Sequence, residues 1–103
     1  MAKFNLTISY DLYRPGQDYS KIINAIKQLG AAVKVHKSLW YLDSNYNEAQ
    51  VRDALVRVID ANDTVFVVNS TTDMAAWFGL DTTTAETIRR RWNKSSPANR
   101  LYG

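Results

Sequence analysis

The chain has 103 residues, a length that predicts a single domain. With 46% hydrophobic and 22% charged residues it has the composition of a globular protein, which excludes a disordered polypeptide. It contains no cysteine, so a disulfide scaffold and a zinc site with thiolate ligands are excluded. The net charge of +3 belongs to the segment that begins at Asp81, because the residues before it balance to zero.

We find no sequence pattern of a signal peptide or of a membrane-spanning segment. The N-terminus enters a strand pattern directly, without a charged and then apolar leader. No apolar run approaches the roughly 20 residues that a membrane span needs. We therefore expect a soluble, cytoplasmic protein with no membrane partner.

The first predicted element is a half-buried strand, β1, over residues 4–11. Its even positions are apolar and its odd positions are polar, a strict period of two. The strand stops on the carboxylate Asp11, and turn-forming residues follow it at Arg14, Pro15 and Gly16. A carboxylate just past a central strand lies where α/β sheets tend to place chemistry.

A helix and a β-rich stretch come next. Asp18 is a plausible N-cap, an apolar stripe with helical spacing follows it, and Gly30 is predicted to close the helix in a left-handed conformation. Residues 31–43 are rich in β-branched and aromatic side chains. They predict either one long bent strand or two strands that meet at a tight turn, and a break or bulge near Lys37 is the favoured interpretation.

The middle of the chain predicts a second helix and a third apolar β segment. Asn47 and Gln50 have the spacing of a capping box at the start of the helix. Residues 64–70 carry apolar side chains on both faces, which predicts an interior strand.

The last third is less regular. We expect a single helical turn over residues 74–78 closed by Gly79, and then a helix from near Thr83, in a second capping box with Glu86, to about Trp92. The tail over residues 93–103 is expected to be a loop.

The element order predicts an α+β fold, a ferredoxin-like βαββαβ sandwich with a C-terminal helical extension. The single domain covers residues 1–103, with a core over about 3–70 and the extension over about 71–103. Helices on one face would leave the other sheet face open. We expect Leu39, Tyr41, Val65 and Val67 to form that face and to be buried in a homodimer.

Several short matches carry a family resemblance over about residues 3–70. They are a first strand that ends in Tyr10-Asp11, a helix that ends at Gly30, a second strand with the run from Val35 to Trp40, and a last strand that starts at residues 63–65. This pattern resembles the small CRISPR-associated adaptation proteins with a ferredoxin-like fold (the Cas-two-like proteins) and the related VapD-type ribonuclease toxins.

The resemblance implies a symmetric dimer in which Asp11 from each subunit holds a divalent metal ion, Mg²⁺ or Mn²⁺. Tyr10 lies beside Asp11 in that pattern, and Ser38 is its neighbour on the second strand. Some members are metal-dependent nucleases of RNA or DNA, and others are non-catalytic scaffolds for DNA. The alternative for Asp11, from the residues alone, is a turn residue that accepts backbone hydrogen bonds.

Basic and aromatic residues supply further candidates for binding nucleic acid. The basic candidates are Arg14, Lys37, Arg89, Arg90 and Arg91. On a helix the three consecutive arginines fan out at 100° steps, so a solvated helix end explains them as well as a phosphate grip does.

The only histidine, His36, could be a general base but is more typical of a surface residue. Trp77, Phe78 and Trp92 could stack on bases, although closing over the open sheet face or an interface is the favoured interpretation.

Three functions remain open at this level. The first is a homodimeric nucleic-acid-handling protein, with metal-dependent endonuclease activity centred on Asp11. The second is a non-enzymatic interaction module on the same dimer that binds a protein, such as a regulator, a toxin–antitoxin component, or a phage-defence or counter-defence factor. The third is a small-ligand sensor. The fold does not decide among them.

Overall fold

A computed structural model describes residues 4–12, 19–72, 75–92 and 101–102 of the chain. The elements are β1 (Phe4–Asp11), α1 (Ser20–Gln28), β2 (Gly30–His36), β3 (Leu39–Ser44), α2 (Glu48–Val56), β4 (Thr64–Asn69), β5 (Ala75–Ala76), α3 (Thr82–Trp92) and β6 (Leu101–Tyr102). Strands β1 to β4 form an antiparallel sheet in the order β2-β3-β1-β4, and β5 pairs with β6 in parallel. The protein is therefore an α+β protein. In the described part of the chain, no helix is both long and apolar enough to cross a bilayer.

One face of the sheet packs against α1 and α2, and we call it the helix-pair face. The even residues Leu6 and Ile8 of β1 are fully buried there with Leu42 of β3, against Ile26 of α1 and Leu55 of α2. The period of two in β1 thus delivers its apolar side chains to this core, as the sequence predicts. Burial of such aliphatic side chains contributes about 1.5–3 kcal/mol each.

The opposite face of the sheet, which we call the α3 face, is covered by the C-terminal helix. Tyr41 of β3 is buried together with Ile88 and Trp92 of α3, and Val33 and Trp77 pack against them. The expectation that this face is left open is therefore wrong for its β2 and β3 portion. The narrow apolar edge of α3 is sufficient because two of its few apolar side chains, Ile88 and Trp92, point to the same patch.

Two local expectations about the β2–β3 region have different outcomes. The predicted break near Lys37 is a tight turn between two strands, with Ser38 at a φ of 59° and an irregular register between Lys34 and His36. Gly30, in contrast, does not close α1. It is the first residue of β2, and a Cβ there would collide with the backbone of Asp43 in the neighbouring strand. A glycine is required at this position because the two strands approach each other closely, and not because a helix ends there in a left-handed conformation.

The two predicted capping boxes also differ. At α2 the side chains and backbone amides of Asn47 and Gln50 bond reciprocally at 2.9 Å, which confirms the prediction. At α3 the cap is Asp81, whose carboxylate accepts hydrogen bonds from the backbone and the hydroxyl of Thr84. The predicted box at Thr83 is therefore wrong, because the capping residue lies two positions earlier, at Asp81.

Strand β4 lies at the edge of the sheet, which corrects the prediction of an interior strand. Its side chains alternate: Val65 and Val67 pack against the helix-pair core, whereas Phe66 and Val68 point away and are exposed. A strand can carry apolar residues on both faces and still be an edge strand when one of those faces is not covered.

In the C-terminal third, residues 75–76 form a strand instead of part of the predicted helical turn. Their partner is Leu101–Tyr102, in the segment that was expected to be a loop. Gly79 has a φ of 83°, in the left-handed region that favours glycine, but it does not close a helical turn, because residues 75–76 are a strand. Asp18, the predicted N-cap of the first helix, and Met74, the first residue of the predicted helical turn, lie outside the described residues.

Candidate functional site

Asp11 ends β1 and is exposed to solvent. Its cross-strand partner is Thr64 at the start of β4, and the preceding residue, Tyr10, donates its backbone N–H to the carbonyl of Ser38 at 3.1 Å. The sheet thus holds the backbone of Asp11 from both sides while the side chain stays in water. A solvent-exposed carboxylate is chemically suited to a hard cation such as Mg²⁺.

The described residues of one chain do not complete a metal site. Among them, no group of three or more His, Cys, Asp and Glu side chains lies close enough together to hold an ion. A cation bound by Asp11 would therefore need ligands besides the described side chains, such as water, a phosphate or a second subunit. His36 is exposed at the end of β2.

The described nucleic-acid-binding candidates lie in different environments. Lys37 is exposed in the β2–β3 turn, at one end of the sheet, and Arg14 lies outside the described residues. The arginines of α3 lie in three different environments. Arg90 is exposed, the Arg89 guanidinium lies 5.3 Å from the centroid of the Trp77 ring, and Arg91 bonds to the sheet.

Arg91 belongs to a buried polar cluster that fixes α3 to the sheet. Its Nη1 donates to Oδ2 of Asp43 at 2.7 Å, and the Asp43 side chain is fully buried. Asn5 donates from Nδ2 to the carbonyl oxygen of Trp92 at 2.9 Å and accepts the hydroxyl of Tyr41 at 2.5 Å. Arg91 is thus engaged in structure, which argues against it as a free phosphate ligand.

The environment of Tyr41 changes its acidity. Burial, and secondly the nearby Asp43 carboxylate, raise the pKa of Tyr41 well above its ordinary value, while Arg91 lowers it by less. The phenol therefore stays protonated and can keep its hydrogen bond to Asn5. Its ring also stacks on Trp92 at 5.6 Å.

This cluster was missed by sequence reasoning. Asn5 occupies a polar position of the alternating strand β1, which is typical of a solvated sheet face, and Asp43 lies near the end of β3 on the same face. Their burial depends on a helix that begins about 40 residues after Asp43, so no local pattern reveals it. The only signal was the set of large aromatics, Trp77 and Trp92, in a weakly amphipathic segment, and it predicted cover for a sheet face.

The four residues predicted to form a dimer interface do not share one surface. Leu39 and Tyr41 are on the α3 face, and Tyr41 is buried beneath α3. Val65 and Val67 are on the helix-pair face and pack against its core. The grouping is wrong because β3 and β4 pair with β1 in registers that place their odd residues on opposite faces.

An apolar strip is nevertheless exposed on β4, and we call it the β4 strip. It consists of Phe66, which is 68% exposed, and Val68, which is 38% exposed. Their cross-strand partners on β1 are Ser9 and Thr7, so the strip is on the same face as Asp11 and Thr64. The strip lies at the sheet edge that α3 leaves uncovered.

The aromatic segment before α3 has one inward and one outward residue. Trp77 packs against the α3 face and lines, with Trp92 and Tyr41, an apolar cavity of about 240 Å³. Phe78 is fully exposed. The favoured interpretation of these aromatics, that they close over the sheet, is confirmed for the two tryptophans.

Comparisons with known proteins do not place the chain in a family. No family model matches it, and no curated protein is significantly similar to it.

Proposed function

We propose that this chain is a ferredoxin-like protein that handles nucleic acid as a homodimer, with Asp11 as its metal ligand and catalytic carboxylate. The βαββαβ element order and the strand order β2-β3-β1-β4, with α1 and α2 on one face, support the ferredoxin-like assignment. The resemblance of residues 3–70 to the CRISPR-associated and VapD-type proteins supports the functional class.

The observation that carries the proposal is that Asp11 and the β4 strip share one face at an open sheet edge. Phe66 and Val68 need cover, and a second copy of the same strip would supply it across a two-fold axis. Asp11 pairs with Thr64, two residues before Phe66 on β4. A dimer formed through this strip would therefore bring two Asp11 carboxylates to the region of the interface.

The proposed metal chemistry requires one carboxylate from each chain. Each Asp11 would bind Mg²⁺ or Mn²⁺ through a carboxylate oxygen, and the bound ion would supply charge stabilisation at a phosphate and a more acidic water. The protein's own part is to hold the two carboxylates on rigid strands and to keep the facing surface open to a phosphodiester.

The direct test is incubation of purified protein with labelled RNA and duplex DNA, in Mg²⁺ and then in chelator. We expect cleavage only with the metal, and Asp11→Asn should abolish it without changing the fold. Asp53→Asn, at an exposed carboxylate of α2, is the matched control and should cleave like the wild type. Metal-dependent cleavage by Asp11→Asn at the wild-type rate would refute the catalytic role.

A second candidate function is a non-catalytic module that binds another protein. The fully exposed Phe78 favours it, because a large aromatic in water is a common anchor at protein interfaces. Binding of nucleic acid without cleavage would leave the scaffold form of the first proposal. Absence of both binding and cleavage would favour the protein-binding module.

A further inference from the structure

A second surface feature lies at the same end of β1 as Asp11 but opens beside α1. It is a cleft of about 390 Å³ lined by Tyr10, Tyr19, Ile23, Lys34, Lys37 and Ser38, and we call it the lysine cleft. Pockets that bind small molecules commonly have about 300–1,000 Å³. The lysine cleft is therefore large enough for one nucleotide and too small for a folded partner.

The charge of the lysine cleft has one sign. Its charged side chains are Lys34 and Lys37, both exposed, and no acidic residue is among the described residues that line it. Outside the lining, Lys27 Nζ lies 5.9 Å from the centroid of the Trp40 ring, and Trp40 is the cross-strand partner of Lys34. The polar lining otherwise consists of hydroxyls. Ammonium and hydroxyl donors suit a phosphate.

Two aromatic rings line the cleft together with these lysine side chains. The rings of Tyr10 and Tyr19 meet edge to face with centroids 6.0 Å apart. Tyr10 is buried and also accepts a hydrogen bond from Trp40 Nε1 at 3.3 Å, so its position is fixed. Tyr19 is 40% exposed and offers free ring surface to a base. Stacking of a base on an aromatic ring strengthens binding by about 5- to 150-fold.

We infer that the lysine cleft binds one nucleotide of a single-stranded nucleic acid, with Lys34 and Lys37 at its phosphate and the Tyr19 ring against its base. This inference specifies a ligand for the proposed function. It rests on that function for the claim that the ligand is a strand and not a free nucleotide. It adds Lys34 and Tyr19 to the candidate binding residues and assigns to Lys37 a role that Arg89, Arg90 and Arg91 do not share.

The phosphate contact is tested by the salt dependence of binding. Labelled single-stranded DNA and RNA of 12 nucleotides are titrated with wild-type protein and with the double variant Lys34→Ala and Lys37→Ala. Each phosphate neutralised on a single strand contributes about 0.7 to the slope of log K against log salt. Because Lys34 and Lys37 share one phosphate, the magnitude of the slope should fall by about 0.7. The control is the double variant Arg52→Ala and Arg57→Ala, which removes the same charge from exposed positions on α2 and at its C-cap.

The base contact is tested with a strand of equal length that lacks bases. Wild-type protein should prefer the normal strand by about tenfold, the lower part of the stacking range above. Tyr19→Leu, which keeps an apolar group beside Tyr10, should remove most of that preference and leave the salt slope unchanged. Tyr46→Leu, at a 47% exposed aromatic outside the cleft, should keep the preference.

A mononucleotide separates this inference from the proposed function. In amide NMR spectra, thymidine 5′-monophosphate should shift the signals of Lys34, Lys37 and Ser38, and thymidine should shift them much less. If the protein binds strands but the lysine variant matches its arginine control, the lysine cleft is wrong and the proposed function stands. If the mononucleotide shifts these signals but no strand binds, the cleft is right for free nucleotides and the polymer is wrong.

Discussion

The attachment of α3 to the sheet predicts a large loss of stability on replacement of Arg91 with alanine. Asp43 is fully buried and Arg91 is about one-third exposed, and the two bond at 2.7 Å. Removing one partner of a buried ion pair costs about 3–5 kcal/mol, and the partial exposure of Arg91 points to the lower end, about 3 kcal/mol. For a domain of this size that loss should lower Tm by about 12–24 °C.

The assay is urea unfolding followed by circular dichroism, with Arg90→Ala as the control because Arg90 is the exposed neighbour on the same helix. The control should change the free energy of unfolding by no more than about 0.5 kcal/mol. Asp43→Asn should cost less in the Arg91→Ala background than in the wild type, because the uncompensated charge is then removed. Equal stability of Arg91→Ala and Arg90→Ala would refute the view that α3 is fixed through this pair.

Three further predictions concern single positions. Gly30→Ala should cost about 1–3 kcal/mol in the same unfolding assay, because its Cβ meets the Asp43 backbone, and a neutral result would disprove the close approach. Asn47→Ala should cost about 1 kcal/mol through loss of the α2 cap, and a cost near zero would contradict it. The raised pKa of Tyr41 makes the phenol a source of stability below its unfolded value near 10, and that stability is lost as the pH rises above it. Tyr41→Phe should therefore have a flatter decline in unfolding free energy above pH 10 than the wild type, and parallel curves would show that Tyr41 does not titrate with unfolding.

The sequence predicts those parts of the fold whose signals are local. The period of two in β1 and the capping box at Asn47 each depend on neighbouring residues, and both are present. The placement of β4 at an edge could not be predicted in this way. Val65 to Val68 are apolar on both faces, and only the pairing of β1 with both β3 and β4 decides that Phe66 is exposed.

The candidate site likewise contains residues that a local sequence pattern reveals and residues that only long-range contacts reveal. Asp11 could be found because a carboxylate that ends an alternating strand is visible in the sequence. The burial of Asp43 and the engagement of Arg91 could not, because the two residues are 48 positions apart and meet only when α3 lies on the sheet. The three arginines of α3 look alike in the sequence and differ only through what each one contacts.

The β4 strip gives a prediction about assembly. Phe66→Asp should convert a dimer into a monomer in sedimentation experiments, because a carboxylate at the centre of the strip would be buried without a partner. Val56→Asp, at an exposed apolar residue of α2, is the matched control and should leave the dimer intact.

The most direct test of the central claim is the distance between the two Asp11 positions in solution. The chain has no cysteine, so Asp11→Cys provides a single attachment point for a spin label. We expect a dimer with a strong dipolar coupling between the two labels, and we expect Phe66→Asp to abolish that coupling. A monomer, or a dimer whose labels are too far apart to couple, would contradict it.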